Sequence, residues 1–167
     1  MTTEEIIALT VKNEGAFTIN PDDDGNWTGG KKGAGELKGS NFGISAKSYP
    51  SVDIKGLTLD QAVQIYKRDF WDKGNFGLLF DQAIAAKCFD TGVNVGLSLP
   101  IRWLQDVVGV PIDGLLGQQT ANAVNAENQA YLLTQLRKRQ ALHYADIVVN
   151  DRSKLEFLKG WMVRVFA

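Results

Sequence analysis

The chain has little cysteine, histidine or proline, and each scarcity removes a class of site or fold. Its 167 residues include one cysteine (Cys88), one histidine (His143) and four prolines. A single cysteine excludes an internal disulfide and a multi-cysteine zinc site, so the fold does not depend on an oxidising compartment. One histidine without a nucleophile pattern or further ligands argues against a catalytic triad or a zinc centre. We therefore expect no metal site.

The chain also lacks an excess of one charge and any long apolar run. Lysine plus arginine number 18 and aspartate plus glutamate 19, so the formal net charge of −1 gives no basic field for nucleic acid. No uncharged run is long enough to span a bilayer, so membrane insertion is not expected. The acidic start, residues 1–8, lacks the features of a secretory signal and predicts synthesis in the cytoplasm without a signal peptide.

Hydrophobic residues make up 44% of the sequence, which is enough for a real core in a chain of this length. Helical periodicity dominates, and it predicts a mainly α fold with a small β-hairpin after the first helix. No linker rich in proline, glycine and serine divides the chain, so we expect one compact body and a monomer.

The segment from Thr10 to Asp24 contains the main candidates for catalytic residues. Thr2 and Glu5 have the spacing of a capping box, and Ile7, Val11 and Glu14 then share one helix face. Gly15 is expected to end that helix, which places Glu14 among apolar neighbours at the negative end of the helix dipole. Both effects disfavour its charge and suit a general acid, although an ordinary exposed terminal glutamate has the same local pattern.

Three more carboxylates, Asp22, Asp23 and Asp24, follow beyond a turn. Cleaving a glycosidic bond needs a protonated acid on one side and an ionised carboxylate or an activated water on the other, so this pairing favours glycoside hydrolysis. We predict Asp23 as the second carboxylate, with Asp22 and Asp24 as near equals.

The glycine-rich segment Gly25–Gly39 predicts a hairpin or a mobile flap. Its glycine spacing matches neither the P-loop nor the dinucleotide-binding motif, so a phosphate site is not favoured. Trp27 can stack on a sugar ring or anchor the flap, and the sequence leaves both open.

Several helices are predicted beyond the flap. Thr58 and Gln61 form a capping box before an apolar stripe that includes Tyr66 and Phe70, and Asp81 caps a helix that Gly92 is expected to close. Cys88 lies on the apolar face of that helix and is interpreted as an inert buried thiol. Asp90 and Asn94 can contact a glycan, but capping or turn-locking is the favoured interpretation.

The C-terminal part is also predicted to be helical. Pro100 suits the first turn of a helix that Gly109 ends, and Asp113-Gly114 makes a turn. Residues 127–149 are expected to form one long helix with His143 at the edge of the core. Ser153 and Glu156 are expected to cap the last helix.

Four segments together resemble glycoside hydrolase family 108, the lysozyme-like N-acetylmuramidases of phages and prophages that are sometimes labelled secretion activator proteins. They are Asn-Glu-Gly-Ala-Phe around Glu14, Asn-Pro-Asp-Asp-Asp-Gly before the flap, Ser-Asn-Phe-Gly-Ile-Ser from Ser40, and Tyr-Lys-Arg-Asp-Phe-Trp-Asp from Tyr66. A Phe-Asp-x-x-Val-Asn-x-Gly run at residues 89–96 adds to the likeness. The chain departs from the family pattern at Ala16, where a second glycine is usual, and in a longer segment between Asp24 and Ser40.

The resemblance implies a lysozyme-like catalytic region over residues 1–96 and a helical peptidoglycan-binding-like region over residues 97–167. It implies Glu14 as the catalytic acid and Ser40 in place of the threonine that holds a water in related phage lysozymes. Two carboxyl groups suffice for this chemistry, so no cofactor is expected. The partner would be the glycan strands of peptidoglycan, reached as an endolysin through a holin or another export route.

Two other functions compete with the muramidase. The missing second glycine and the long flap are also compatible with a non-catalytic peptidoglycan-binding or export-assisting protein, and the C-terminal region with a plain helical scaffold. A peptidase of the cross-link is less favoured, because it usually needs a metal centre or a Cys/His pair.

Overall fold

The computed structural model describes residues 1–166 and divides the chain into two compact units, Met1–Asp69 and Phe70–Ala167. The described part contains seven α-helices and one two-stranded sheet, so the mainly α prediction is confirmed. In chain order the elements are α1 (Thr3–Lys12), β1 (Ser40–Asn41), β2 (Ile44–Ser45), α2 (Leu59–Tyr66), α3 (Gln82–Val95), α4 (Ser98–Val108), α5 (Gln118–Ala126), α6 (Gln129–Asn150) and α7 (Leu158–Phe166).

Helix α1 packs against α2 in the first unit, and both begin as predicted. Thr2 and Thr58 each form a complete capping box, with Glu5 and Gln61 respectively. The predicted end of α1 was wrong by two residues: the helix stops at Lys12 with Asn13 as its C-cap. Glu14 therefore follows the helix, and Gly15, with a φ of +100°, turns the chain away from it.

The small hairpin predicted after the first helix is confirmed, but its strands follow the glycine-rich segment. Ser40 pairs with Ser45 and Asn41 with Ile44 in antiparallel register. The connecting residues Phe42 and Gly43 both have positive φ, +50° and +71°, as a type I′ turn requires. Residues 25–39 form an irregular loop with a single bridge between Trp27 and Leu37.

The second unit begins inside a π-helical segment, Lys67–Asp72, so Phe70 does not continue the α2 stripe as predicted. Cys88 is fully buried on α3, which confirms the predicted burial, and burial raises the pKa of its thiol to about 12. The prediction that Gly92 closes α3 was wrong. The helix runs on to Val95, and Gly96 ends it with a φ of +95°.

Gly92 has a packing role in the interior of α3 instead. An added Cβ there would lie 3.0 Å from Leu97 Cδ2 and 3.6 Å from Phe76 Cζ, so a side chain at this point would require Leu97 to shift by a few tenths of an ångström. A sequence pattern does not distinguish a glycine that stops a helix from one that lets a neighbour approach.

Helices α4 to α7 complete the second unit. Gly109 ends α4 in the left-handed conformation, and residues 129–150 form the predicted long helix with His143 half-buried, its ring centroid 6.0 Å from that of Trp103. The predicted cap of the last helix was wrong. Asp151 accepts the Ser153 N–H and starts a 3₁₀ segment, Arg152–Phe157, before α7 begins at Leu158.

A buried ammonium group secures the end of α7. Lys87 on α3 is 5% exposed, and its Nζ donates to the carbonyl oxygens of Arg164 at 2.6 Å and Val165 at 2.8 Å. These carbonyls have no partner inside a helix, so Lys87 satisfies them. Burial lowers the pKa of Lys87 to about 8.

Two glycines predict opposite effects of the same substitution. Gly96 holds a φ of +95° and Gly160 lies in α7 with helical backbone, and an added Cβ meets no atom within 4 Å at either. We expect Gly96→Ala to lower the free energy of unfolding by about 1 kcal/mol and Gly160→Ala to raise it by about 0.5–1 kcal/mol. Chemical denaturation of both variants measures the difference, and equal signs would contradict the assigned helix end.

Candidate active site

Glu14 lies directly beyond α1, held by its own backbone. Its N–H donates to the Val11 carbonyl at 3.1 Å, and the next carbonyl, of Gly15, accepts the Phe42 N–H at 3.1 Å. The residue is half-buried. The backbone on both sides of Glu14 is thus fixed, to the helix before it and to the hairpin turn after it.

The Phe42–Gly43 turn lies close to the Glu14 side chain. A Cβ added to Gly43 would lie 3.2 Å from Glu14 Cβ, which is a tight contact, and 3.6 Å from Glu14 Oε2, which is an ordinary one. The same Cβ would lie 2.6 Å from the hydroxyl oxygen of Tyr66, which donates to the Phe42 carbonyl at 2.9 Å. Glu14, Gly43 and Tyr66 therefore meet at one point in the first unit.

Ser40 stands at the start of the same hairpin. Its backbone pairs with Thr18 on one side and with Ser45 on the other, and its Oγ lies 3.1 Å from Thr18 Oγ1. The side chain is half-buried. A single hairpin thus carries both the predicted water-holding serine and the turn that touches the predicted acid.

The three aspartates differ in their partners. Asp23 accepts the Gly25 N–H at Oδ1 and the Asn26 amide at Oδ2, each at 2.8 Å. Asp24 accepts the backbone N–H of Lys32 at 2.8 Å, and Asp22 forms an exposed ion pair with the Lys32 side chain. Asp23 therefore shapes the turn, whereas Asp22 and Asp24 connect it to the flap.

Asn26 joins this turn to the hairpin. The residue is 1% exposed, and its side-chain carbonyl accepts the Asn20 N–H at 2.9 Å while its amide holds Asp23. Its backbone carbonyl accepts the N–H groups of Lys38 and Gly39, immediately before β1. The acidic turn, the predicted acid and Ser40 are consequently all attached to one hairpin.

Trp27 is anchored through its indole, whose Nε1 donates to the Pro21 carbonyl at 2.9 Å. The ring is half-buried, and its backbone bridges to Leu37 across the flap. The anchoring contact is therefore present, while stacking on a sugar stays a prediction.

Asp90 and Asn94 lie within α3, so the favoured interpretation as caps or turn-locking residues was wrong. Asn94 accepts the hydroxyl of Tyr144 on α6 at 2.7 Å, and Asp90 lies 3.9 Å from the Arg164 guanidinium on α7. Both contacts join helices of the second unit. A contact with glycan stays a prediction for these two residues.

Three residues of the site were missed by the sequence interpretation. Gly43 follows a residue that must also take positive φ, and the run Asn-Phe-Gly-Ile between two strand pairs is the available signal for such a turn. Tyr66 was assigned to the apolar stripe of α2, and its buried ring hid the role of its hydroxyl. Asn26 had no recognisable signal, because its partners come from separate loops. Within residues 1–166 no three histidine, cysteine, aspartate or glutamate side chains cluster as a metal ion requires.

Asp23 is expected to matter more for stability than its neighbours. Asp23→Ala removes two hydrogen bonds, including the partner of a buried amide, and should lower the free energy of unfolding by about 1–3 kcal/mol. Asp22→Ala removes only an exposed ion pair and should cost less than about 1 kcal/mol. Urea denaturation compares the variants, and equal losses would show that the Asp23 bonds do not hold the turn.

A second cluster in the first unit predicts a pH dependence. Tyr49 donates to Asp69 at 2.8 Å, and partial burial, followed by that hydrogen bond, raises its pKa from 10.0 to about 12. The folded state thus favours the neutral phenol, and this contribution to stability is complete below pH 10 and lost as the pH rises to 12. Between these values the wild type should lose stability more steeply than Tyr49→Phe, as measured by denaturation at stepped pH. Parallel curves would contradict the raised pKa.

Comparison with known proteins identifies both parts of the chain. The family model for glycosyl hydrolase 108 matches residues 7–96, and the model for a predicted peptidoglycan domain matches residues 99–166. Both parts indicate a protein of the glycosyl hydrolase type that acts on peptidoglycan. No curated protein matches the chain significantly. No helix in the described residues combines the length and apolarity needed to cross a membrane.

The fold itself occurs in a solved structure. The structure of Brucella abortus SagA aligns with a TM-score of 0.70 at 22% identity, covering 98% of this chain and 88% of that one. This likeness supports the lysozyme-like fold that the sequence predicted. With a family model that spans more than half of its residues, the chain belongs to glycoside hydrolase family 108 and carries a peptidoglycan-binding half.

Proposed function

We propose that the chain is an N-acetylmuramidase of the lysozyme type, which hydrolyses the β-1,4 bond between N-acetylmuramic acid and N-acetylglucosamine in peptidoglycan. The observation that carries this proposal is the position of Glu14, half-buried between the end of α1 and the hairpin turn. It lies inside the segment that the glycosyl hydrolase model matches.

Glu14 acts as the general acid. Its carboxyl proton passes to the glycosidic oxygen while the bond from that oxygen to the anomeric carbon breaks, and the leaving sugar departs as a neutral alcohol. Positive charge develops on the anomeric carbon and the ring oxygen. A water molecule then adds to the anomeric carbon and leaves a reducing end, and the proton that it loses returns to Glu14 directly or by way of the carboxylate that activates the water.

Asp23 is the proposed second carboxylate, with Asp22 and Asp24 as alternatives. An ionised carboxylate near the anomeric carbon stabilises the developing positive charge or activates the water. The turn bonds of Asp23 orient its carboxylate, because both oxygens accept hydrogen bonds. Ser40, on the hairpin that touches Glu14, is proposed to hold the water.

Glycan binding is proposed to extend beyond these groups. Trp27 offers a half-buried ring near the acidic turn, with Asp22 and Asp24 on the same turn, and Asp90 and Asn94 are the candidates in the second unit. The region from residue 97 onward is proposed to bind the wall, with the catalytic region spanning residues 1–96. The chain would work as a monomeric endolysin of a phage or prophage, made in the cytoplasm and released through a holin or another export route.

A non-catalytic wall-binding or export-assisting protein is the second candidate. The observation that favours it is that both oxygens of Asp23 are already engaged within their own turn. A binding protein would sediment with peptidoglycan but release nothing from it.

Mass spectrometry of digested peptidoglycan separates these functions. Purified wall is incubated with the protein, the soluble products are reduced, and their reduced ends are identified. A muramidase leaves reduced N-acetylmuramic acid, a glucosaminidase leaves reduced N-acetylglucosamine, and a binding protein leaves no soluble muropeptides. Either of the last two results would overturn the proposed bond specificity.

Glu14→Gln tests the acid itself. The amide keeps the shape of the side chain but has no proton to give, so wall lysis should fall by about 10²- to 10⁴-fold. The melting temperature should stay level or rise slightly, because the preceding helix end disfavours a negative charge. Lysis assays and thermal denaturation are run on the same preparation. Full activity in this variant would remove Glu14 as the acid, and early melting would show a structural role instead.

A further inference from the structure

Tyr66 places a polar group at the point where the hairpin meets Glu14. The residue is 4% exposed in α2, and its ring belongs to the core between α1 and α2. Its hydroxyl reaches out of that core and donates to the Phe42 carbonyl at 2.9 Å. The buried ring holds the hydroxyl in place, and the hydrogen bond from the hydroxyl holds the turn.

The turn has little freedom to compensate if that bond is lost. Phe42 adopts a φ of +50°, which is uncommon for a residue with a large side chain and costs free energy that its surroundings must offset. Two hydrogen bonds hold Phe42 there: its N–H donates to the Gly15 carbonyl, and its carbonyl accepts the Tyr66 hydroxyl. Gly15 is the residue after Glu14, so these bonds connect Tyr66 to the backbone of the acid.

Gly43 brings the same hydroxyl next to the acid side chain. A Cβ at this position would lie 2.6 Å from the Tyr66 hydroxyl oxygen, 3.2 Å from Glu14 Cβ and 3.6 Å from Glu14 Oε2. A methyl group at position 43 would therefore contact both the Tyr66 hydroxyl and the Glu14 side chain. Any movement of Tyr66 or of the turn changes the space in which the Glu14 carboxyl group lies.

We propose that Tyr66 is a positioning residue for Glu14, which acts by locking the Phe42–Gly43 turn against the acid. The inference rests on the proposed function, in which Glu14 is the proton donor. Tyr66 itself transfers no proton in this scheme. Proton transfer depends steeply on the distance and angle between donor and acceptor, so a displaced turn would lower the rate of the chemical step more than the binding of glycan.

Tyr66→Phe is the central test, because it removes the hydroxyl and leaves the ring in the core. Tyr49→Phe is the matched control: it also loses one tyrosyl hydrogen bond in the first unit, to Asp69 at 2.8 Å, and this bond involves neither Glu14 nor the Phe42–Gly43 turn. Initial rates are measured on soluble, uncross-linked glycan strands of peptidoglycan, which give kcat and KM separately, together with the melting temperature of each variant.

We expect kcat of Tyr66→Phe to fall about 10- to 100-fold while KM stays within about threefold, and kcat of Tyr49→Phe to stay within about twofold of wild type. A Tyr66→Phe protein with wild-type kcat would overturn the proposal. An equal loss of kcat in both variants would overturn it too, since any lost tyrosyl bond would then have the same effect.

A double-variant cycle distinguishes positioning from a general structural effect. In a Glu14→Gln background the group that Tyr66 positions is already gone, so Tyr66→Phe should lower the remaining activity by less than about twofold. A loss as large as in the wild-type background would show that Tyr66 acts independently of Glu14 and would overturn the proposal.

Gly43→Ala tests the same contact in the opposite way, because it adds a methyl group there instead of removing the hydroxyl. The new methyl group would collide with the Tyr66 hydroxyl oxygen, so Gly43→Ala alone should lose activity. Adding Tyr66→Phe removes the atom that is 2.6 Å away, and the double variant should lose less than the product of the two single losses. Multiplicative losses would contradict the shared contact.

Failure of the inference is separable from failure of the proposed function. If Glu14→Gln keeps full activity, Glu14 is not the acid and the proposed function fails. If Glu14→Gln is inactive while Tyr66→Phe has wild-type kcat, the proposed function stands and only the role of Tyr66 is overturned.

Discussion

The first unit depends on a two-residue turn that the chain can form only with both φ angles positive. Phe42 and Gly43 occupy that turn, and its backbone bonds reach the segment after α1 and a side chain of α2. The two helices, the hairpin and the predicted acid therefore share one connection. In a unit with only four residues in regular strands, this connection replaces the ladder of hydrogen bonds that a larger sheet would supply.

Buried amides hold the remaining loops in the same unit. Asn26 accepts backbone N–H groups from Asn20 and from Lys38 and Gly39, and Asn41 donates to the carbonyls of Ile54 and Leu57 before α2. A buried amide costs free energy unless its donors and acceptors are paired, so each of these residues permits one local arrangement of its loops. The irregular segments are thus specified by polar contacts, whereas the helices are specified by apolar packing.

This difference between loops and helices explains which parts of the structure the sequence predicts. Capping boxes at Thr2 and Thr58 were identified correctly, because their signal lies within four residues and uses side chains with one dominant role. Gly92 and Ser153 were misread, because a packing glycine and a serine held by Asp151 resemble a stop and a cap in sequence. The contact of Gly43 and Tyr66 with Glu14 joins residues far apart in the chain, and no local pattern encodes such a distance.

The bond from Lys87 to the end of α7 has a consequence for how the second unit is made. Lys87 lies 77 and 78 positions before the two carbonyls that it binds, so its ammonium group gains these partners only after α7 has been synthesised. Until then the ammonium group lacks these two acceptors, and only with them does its burial in the finished unit become favourable. The second unit therefore gains its full set of contacts only when its last helix has packed against α3.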